Sequence, residues 1–354
     1  MEIINSQDPF VETMPPQIGE EAEQETQDRS QVAVSPGKAA LRRFLRDWRA
    51  VASLAIILFI IVGSVLFPFL YVHIGPTLHG GLTGTQLITP EQYHQPNWQE
   101  LERSDFPSTL LPLGNKDMWA YPLGNDTNGR DIFARVMAGV KVSIIIALAV
   151  ELFDIGLGLL FGTLAGYFGG WLDTVLARFT DIMFAFPGLL LIILIGAALG
   201  PVMDQAFGPG TGRVLLLIGA IGFLVWPLMM RYVRGQTLQL KEQQYIEAAR
   251  TVGTGSAGII VRHIIPNLLS IVVVASTLNI LGTITTEAGI SVLGVGLQPP
   301  STSLGLMISD AINTLQTSYW TELLWPTLTL IILIVCFAFV GDGVRDAFDP
   351  RTKD

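Results

Sequence analysis

The sequence predicts an all-α membrane protein with six transmembrane helices, and three observations carry that prediction. Half of the 354 residues are hydrophobic and only 14% are charged, whereas soluble domains carry about 25% charged residues. Six apolar runs, at 51–70, 141–164, 184–200, 214–233, 268–292 and 322–340, reach or approach the length of a span. A bilayer core needs roughly 20 such residues in a helix. Finally, Lys and Arg are shared unevenly between the segments that join the runs.

Taken in order, residues 1–37 hold eight acids and one base, Arg29, with no apolar periodicity. They read as a disordered acidic tail. The stretch 38–70 is a basic juxtamembrane segment followed by the first span. A polar region rich in Pro, Gly, Asn and Asp covers 71–140 and reads as an outer loop. The remaining five spans fill 141–342, and 343–354 form a C-terminal tail. With both termini cytoplasmic, the inner segments hold fifteen Lys and Arg residues against six outside. That bias places 234–267 in the cytoplasm.

Within the spans, Gly158, Gly162, Gly166 and Gly170 recur every four residues. A bare stripe of this kind lets a second helix come close, which is how membrane helices gain packing contacts. Three acids also fall inside spans: Glu151, Asp154 and Glu287. Charges there face a cavity or a partner. Glu151 and Asp154, three apart on one helical face, either line a pathway that attracts a cationic group or tie helices together. The tie is the favoured reading, since buried acids often serve that way.

Hydrolytic chemistry has no visible constellation. There is no G-x-x-x-x-G-K-[ST], no H-E-x-x-H and no G-x-S-x-G, so no catalytic residue is assigned. The GTGSAG at 253–258 fits a dinucleotide pattern but follows a helical stretch rather than a strand, which excludes that use. His73, His79 and His94 share the outer loop without a recognised ligand spacing, so no metal is expected. Cys336, the one cysteine, permits no disulfide within the chain. No nucleic-acid partner is expected either.

The segment YIEAARTVGTGSAGIIVRHIIPN, 245–267, sits between two apolar runs. Gln243 to Val252 can form a helix, with Gly253 suited to the positive φ of a C-terminal cap. Ala248 and Ala249 leave its backbone nearly bare, Glu247 supplies one anchoring charge, and Arg250 follows a turn later. Thr254 or Ser256 suits the cap of the next turn, and Pro266 marks entry into the fifth span. The segment is a short rigid knob offered to a partner; an ordinary loop helix packed on its own protein fits the spacing equally well.

The order Glu247-Ala248-Ala249, Gly253 and Pro266 resembles the EAA loop of ATP-binding-cassette importer permeases. PLGNDTNGRDIFARVMAG (122–139), LAGYFGGWLD (164–173), AFPGLLL (185–191), EAGISVLGVGLQPP (287–300) and GDGVRDAFDPR (341–351) are similar to signatures of the dipeptide/oligopeptide/nickel permease family. The layout is similar to its C-type subunit, and the similarity covers roughly 41–351. Ile265 stands where leucine is usual before the EAA proline, PLGN occurs twice in the outer loop, and the acidic tail has no counterpart.

That resemblance implies a type I importer permease architecture in the cytoplasmic membrane, with 245–267 as a coupling helix that docks on an ATPase. It implies a second homologous permease, two ATPase subunits and an extracytoplasmic substrate-binding protein as partners. ATP and magnesium belong to the ATPases, so no cofactor is expected in this chain. Short peptides are the implied cargo, with nickel or another small solute as the alternative. A stand-alone secondary transporter would show inverted repeats, and no second copy of the EAA segment or of 122–139 is present.

Overall fold

The computed structural model describes residues 36–78, 123–317 and 319–348. Their elements are α1 (Pro36–Arg46), α2 (Trp48–Leu78), α3 (Ile132–Phe168), α4 (Gly170–Ala185), α5 (Gly188–Phe207) and α6 (Thr211–Leu240). There follow α7 (Gln244–Thr251), α8 (Ser256–Ile259), a π-helical turn (Ile260–Ile264), α9 (Ile265–Val292), α10 (Leu304–Ala311) and α11 (Thr321–Phe348). Among the described residues, six helical segments are long and apolar enough to cross a membrane, and each overlaps one of the six apolar runs.

The boundaries shift where polar chemistry extends a helix beyond its apolar run. Residues 132–140, assigned to the outer loop, are helical because Asp131 caps α3. Its carboxylate accepts from the N–H of Phe133 at 2.8 Å and of Ala134 at 3.3 Å, which satisfies donors that a bare helix start leaves open. Likewise α2 runs on to Leu78, and α11 reaches Phe348, inside the segment assigned to the C-terminal tail. Pro36 and Gly37, assigned to the acidic tail, open α1, and proline suits the first helical position. The acidic segment 1–35, His79, His94 and the first PLGN lie outside the described residues.

The close approach of α3 and α6 organises the bundle. A Cβ at Gly158 would stand 2.3 Å from Met229, one at Gly162 2.7 Å from Val233, and one at Gly166 2.6 Å from Thr237. The partners advance in step with the glycines, so the two helices run parallel with backbones nearly in contact. Gly170 is a correction to the predicted stripe. A Cβ there would meet nothing within 4 Å. Instead Gly169 (φ 66°) and Gly170 (φ 60°) turn the chain into α4, a helix that apolar runs did not reveal because Asp173, Arg178 and Asp181 interrupt it.

Those same charges hold α4 to α6. Arg234 donates to Asp173 through both Nε and Nη2, the latter at 2.7 Å, and Arg231 reaches Asp181 at 2.6 Å. The Arg234 bond holds the Asp173 carboxyl below the usual carboxylate range. Phe179 stacks on Trp226 between them, with ring centroids 6.0 Å apart.

The seam makes a contrast testable. Gly162→Leu forces α3 and α6 apart and is expected to destabilise the protein by about 1–3 kcal/mol. Gly170→Ala meets open space and carries only the ~1–2 kcal/mol of a left-handed backbone. Thermal unfolding of the purified protein in detergent, with light scattering for dissociation and aggregation, reads both. An unchanged melting point for Gly162→Leu would contradict the seam.

Candidate functional site

The knob predicted at 245–267 is built as follows. α7 is an eight-residue helix, Gln244–Thr251, too short to persist alone in water. It is held because Ile246, fully buried, inserts into a cluster with Met229 and Val233 of α6, Ile264 at the end of the π turn, and Leu268 and Val272 of α9. At about 25 cal/mol per Å² of apolar surface, one buried isoleucine contributes roughly 1.5–3 kcal/mol, the anchor that the isolated helix lacks.

The end of α7 closes with both bonds of a Schellman cap. The Thr254 N–H donates to the Ala249 carbonyl at 3.0 Å and the Gly253 N–H to the Arg250 carbonyl at 2.9 Å. Gly253 sits at φ 87°, where glycine alone is unstrained. The expected cap by Thr254 or Ser256 is not made: Gly255 takes the N-cap of α8, with no side-chain bond.

The outward face of the knob presents Tyr245, Glu247, Ala248 and Thr251, continuing to Val252, which is 86% exposed. Ala249 does not belong to it. The alanine pair was expected to bare one side together, but adjacent helical residues lie about 100° apart. Ala249 therefore packs inward on the Ile246 cluster. Arg250 lays its guanidinium over the Tyr167 ring of α3, 5.5 Å from the centroid, so its cation is steered along the protein's own surface.

Beyond α8 the chain widens into the π turn before Pro266, which stands at the start of α9. Proline has no N–H to offer the carbonyl four residues back. The Ile265 N–H instead reaches the Ile260 carbonyl, five residues back, and the Asn267 side chain donates to the His263 carbonyl at 2.6 Å. Such turns are rare and concentrate at functional sites. In the sequence it is marked by Pro266 and by the five-residue step from Ile259 to Ile264 in an otherwise four-residue apolar spacing.

The three acids within the spans sit on the α3–α9 seam. Asp154 Oδ2 accepts from Asn279 Nδ2 of α9 at 2.8 Å. Glu287 of α9 accepts from Ser143 of α3 and from Ser291, each at 2.9 Å. Glu151 stands opposite Ser276 of α9, with neither making a well-aligned bond. Asp154 and Glu287 thus tie helices. Asn279 also lines a cleft of about 460 Å³ between α5, α6 and α9, with Gly188, Ile192, Ile221, Thr283 and Thr286.

At the opposite end of the bundle from the knob, NDTNGRDIFARV folds into a charged clasp. Asp126 Oδ1 accepts from the N–H of Asn128 at 2.9 Å and of Arg130 at 2.8 Å, shaping the turn. Its Oδ2 accepts from Arg130 Nε and from Arg135 Nη1, each at 2.6 Å. Arg135, 1% exposed, continues to Asp310 of α10 at 2.9 Å. The Thr127 N–H points to Glu322 of α11 at 3.5 Å. In the sequence Arg130 and Arg135 stand within the 122–139 signature with no distant partner in view; Asp310, 175 residues from Arg135, gives no local sign of being that partner.

Six apolar helical segments, buried polar ties between them and a rigid protruding helix define a multi-pass helical membrane protein. The chain belongs to the family of binding-protein-dependent transport system inner membrane components, whose profile matches residues 158–354. The N-terminal TM domain of oligopeptide transport permease C matches residues 35–79. It is therefore a transport component rather than an enzyme.

The oligopeptide transport system permease protein OppC of Haemophilus influenzae is 32% identical over 89% of this chain and 88% of that protein. The dipeptide transport system permease protein DppC of Bacillus subtilis is 30% identical over 95% and 92%. Among solved structures, the inward-facing MetNI methionine ABC transporter aligns at 20% identity with a TM-score of 0.48, covering 61% of this chain and 97% of that one. That likeness is too loose to carry any of the assignment.

Two outcomes follow from the geometry. Arg135→Leu leaves Asp126 with Arg130 alone and cuts the link to Asp310, and is expected to cost about 1.5–3 kcal/mol of stability, measured by thermal unfolding. Asp154→Ala cuts the bond to Asn279 and is expected to cost ~0.6–2 kcal/mol in the same assay; an unchanged melting point would remove it as a tie.

Proposed function

We propose that this chain forms one half of the translocation pathway of an ATP-driven importer of short peptides, and that the α7 knob couples it to the engine. In this reading a second, homologous permease completes the pathway. Two ATPase subunits bind and hydrolyse ATP with magnesium, and an extracytoplasmic binding protein delivers the cargo. Both termini and α7 face the cytoplasm, as the Lys and Arg bias indicates.

The observation that carries the reading is how α7 is held. Its inner side is nailed into the core by Ile246, while Glu247, Ala248 and Val252 stand outward with none of the described residues over them. A load applied to that face passes to α6, which precedes it, and through α8 and the π turn to α9, all of which meet around Ile246. Ala248 lets a docking groove come close, and Glu247 suits an arginine or backbone N–H groups within it. ATP-driven closure of the ATPase pair moves the knob, and the cleft between α5, α6 and α9 alternates in access.

The peptide cargo is supported by the relatives' names, oligopeptide and dipeptide permease proteins. The cleft lining agrees with it: Asn279 and the threonines offer neutral donors and acceptors suited to peptide amides.

The complete complex, reconstituted in liposomes, tests this. The double variant Glu247→Ala, Gly253→Trp is expected to lower peptide import at least about tenfold, a loss of ~1.4 kcal/mol of coupling. ATP hydrolysis should no longer respond to the loaded binding protein. Import and hydrolysis at full pace in that variant would show that α7 is not the coupling element.

A further inference from the structure

Helix α1 carries a surface that the transport reading leaves unused. It ends one residue before α2, whose segment Trp48–Phe67 is apolar enough to span the bilayer. α1 therefore stands at the edge of the membrane. It cannot roll there, because one side is clamped on the end of α11. Ala40 and Ala50 are buried, and Phe44 joins the cluster of Ile57, Cys336 and Val340. A Cβ at Gly343 would lie 2.3 Å from Ala50 and 3.4 Å from the Phe44 ring.

With that side fixed, the other two are determined. Leu41, Leu45 and Trp48 form an apolar line, 58%, 61% and 73% exposed. Lys38, Arg42 and Arg46 form a row beside it at helical spacing, followed by Arg49 at the start of α2, all exposed. From Pro36 to Arg49 the only acid is Asp47. The apolar line continues into exposed Ile56, Phe59 and Val62 of the first span, so both belong to one surface. Leu and Trp on one side with Lys and Arg beside them is the pattern of a helix lying in the membrane interface.

We propose that α1 rests in the headgroup layer as a binding site for anionic phospholipids. Leu41, Leu45 and Trp48 sink to the acyl boundary, and Lys38, Arg42, Arg46 and Arg49 hold lipid phosphates. Near an anionic surface each basic residue contributes appreciably, and arginine engages phosphate through two parallel hydrogen bonds. A protein partner fits less well, because the line is continuous with a bilayer span. The rival occupant is the chain's own residues 1–35, with eight acids and one base.

The test uses the full chain in nanodiscs of phosphatidylcholine alone and of phosphatidylcholine mixed with phosphatidylglycerol. Amide hydrogen exchange over 37–49 and the lipids retained on extraction, by native mass spectrometry, are measured with and without high salt. Exchange is expected to slow several-fold in the anionic discs, and salt should erase the difference. Retention of phosphatidylglycerol should fall roughly fivefold for each of Arg42→Gln, Arg46→Gln and Arg49→Gln. The salt comparison on the unaltered chain stands even if a variant folds poorly. Equal exchange and equal retention in the two disc types would overturn the proposal. So would a lipid preference that emerges only after deletion of residues 1–35, since the tail would then be the occupant.

Discussion

The architecture rests on a single close contact, the bare backbone of α3 against the side chains of α6. In lipid, hydrophobicity does not drive helices together, so fit must. Gly158, Gly162 and Gly166 supply that fit by admitting Met229, Val233 and Thr237 where any larger residue would collide. Everything downstream hangs from this seam. Lys241, at the end of α6, reaches the Gly166 carbonyl at 3.0 Å, and Met229 and Val233 form the floor that receives Ile246. The protruding helix is rigid because the seam beneath it is.

Polar groups reinforce the bundle at one end and in its middle. Around Asp126, Arg130, Arg135 and Asp310, two guanidinium groups share two carboxylates across three stretches of chain. Deeper in, Asn279 on Asp154 and Ser143 on Glu287 join α3 to α9 with single bonds. Full charges paired at one end and uncharged donors on acids in the middle follow what a low-dielectric interior tolerates. The bonds of Arg130 and Arg135 to Asp126 are local, whereas those to Asp310 and those joining α3 to α9 link residues more than a hundred positions apart and need the bundle to form.

How much of this was legible depended on the range of the interaction. The six spans were visible because hydropathy is local, and the Gly253 cap because its demand on φ is local too. The first three glycines of the stripe pointed to a real contact; Gly170 did not, because spacing cannot say where a helix stops, and the turn at Gly169 intervenes. α4 was hidden by its own charges, which Arg231 and Arg234 neutralise from a helix some fifty residues or more away. Ala249 packs inward although its neighbour Ala248 is exposed, because residues adjacent in a helical sequence point about 100° apart. For Asp154, pairing with Asn279 had no sequence signature at all.

The wide turn at Ile260–Ile264 has a geometric consequence. Ile259, Ile264, Leu268 and Val272 are all buried in one cluster, yet the first interval is five residues and the others are four. In an uninterrupted α-helix, five steps of about 100° would swing Ile259 well away from the line of the other three. The extra residue held by the i→i+5 turn restores their alignment. It acts as a phase corrector between two helical segments whose apolar patterns are out of register. Removing one residue between 260 and 264 would rewind the segment to plain α and rotate the knob about the axis of α9. The direction in which Glu247 and Val252 point is thus set by that one surplus residue.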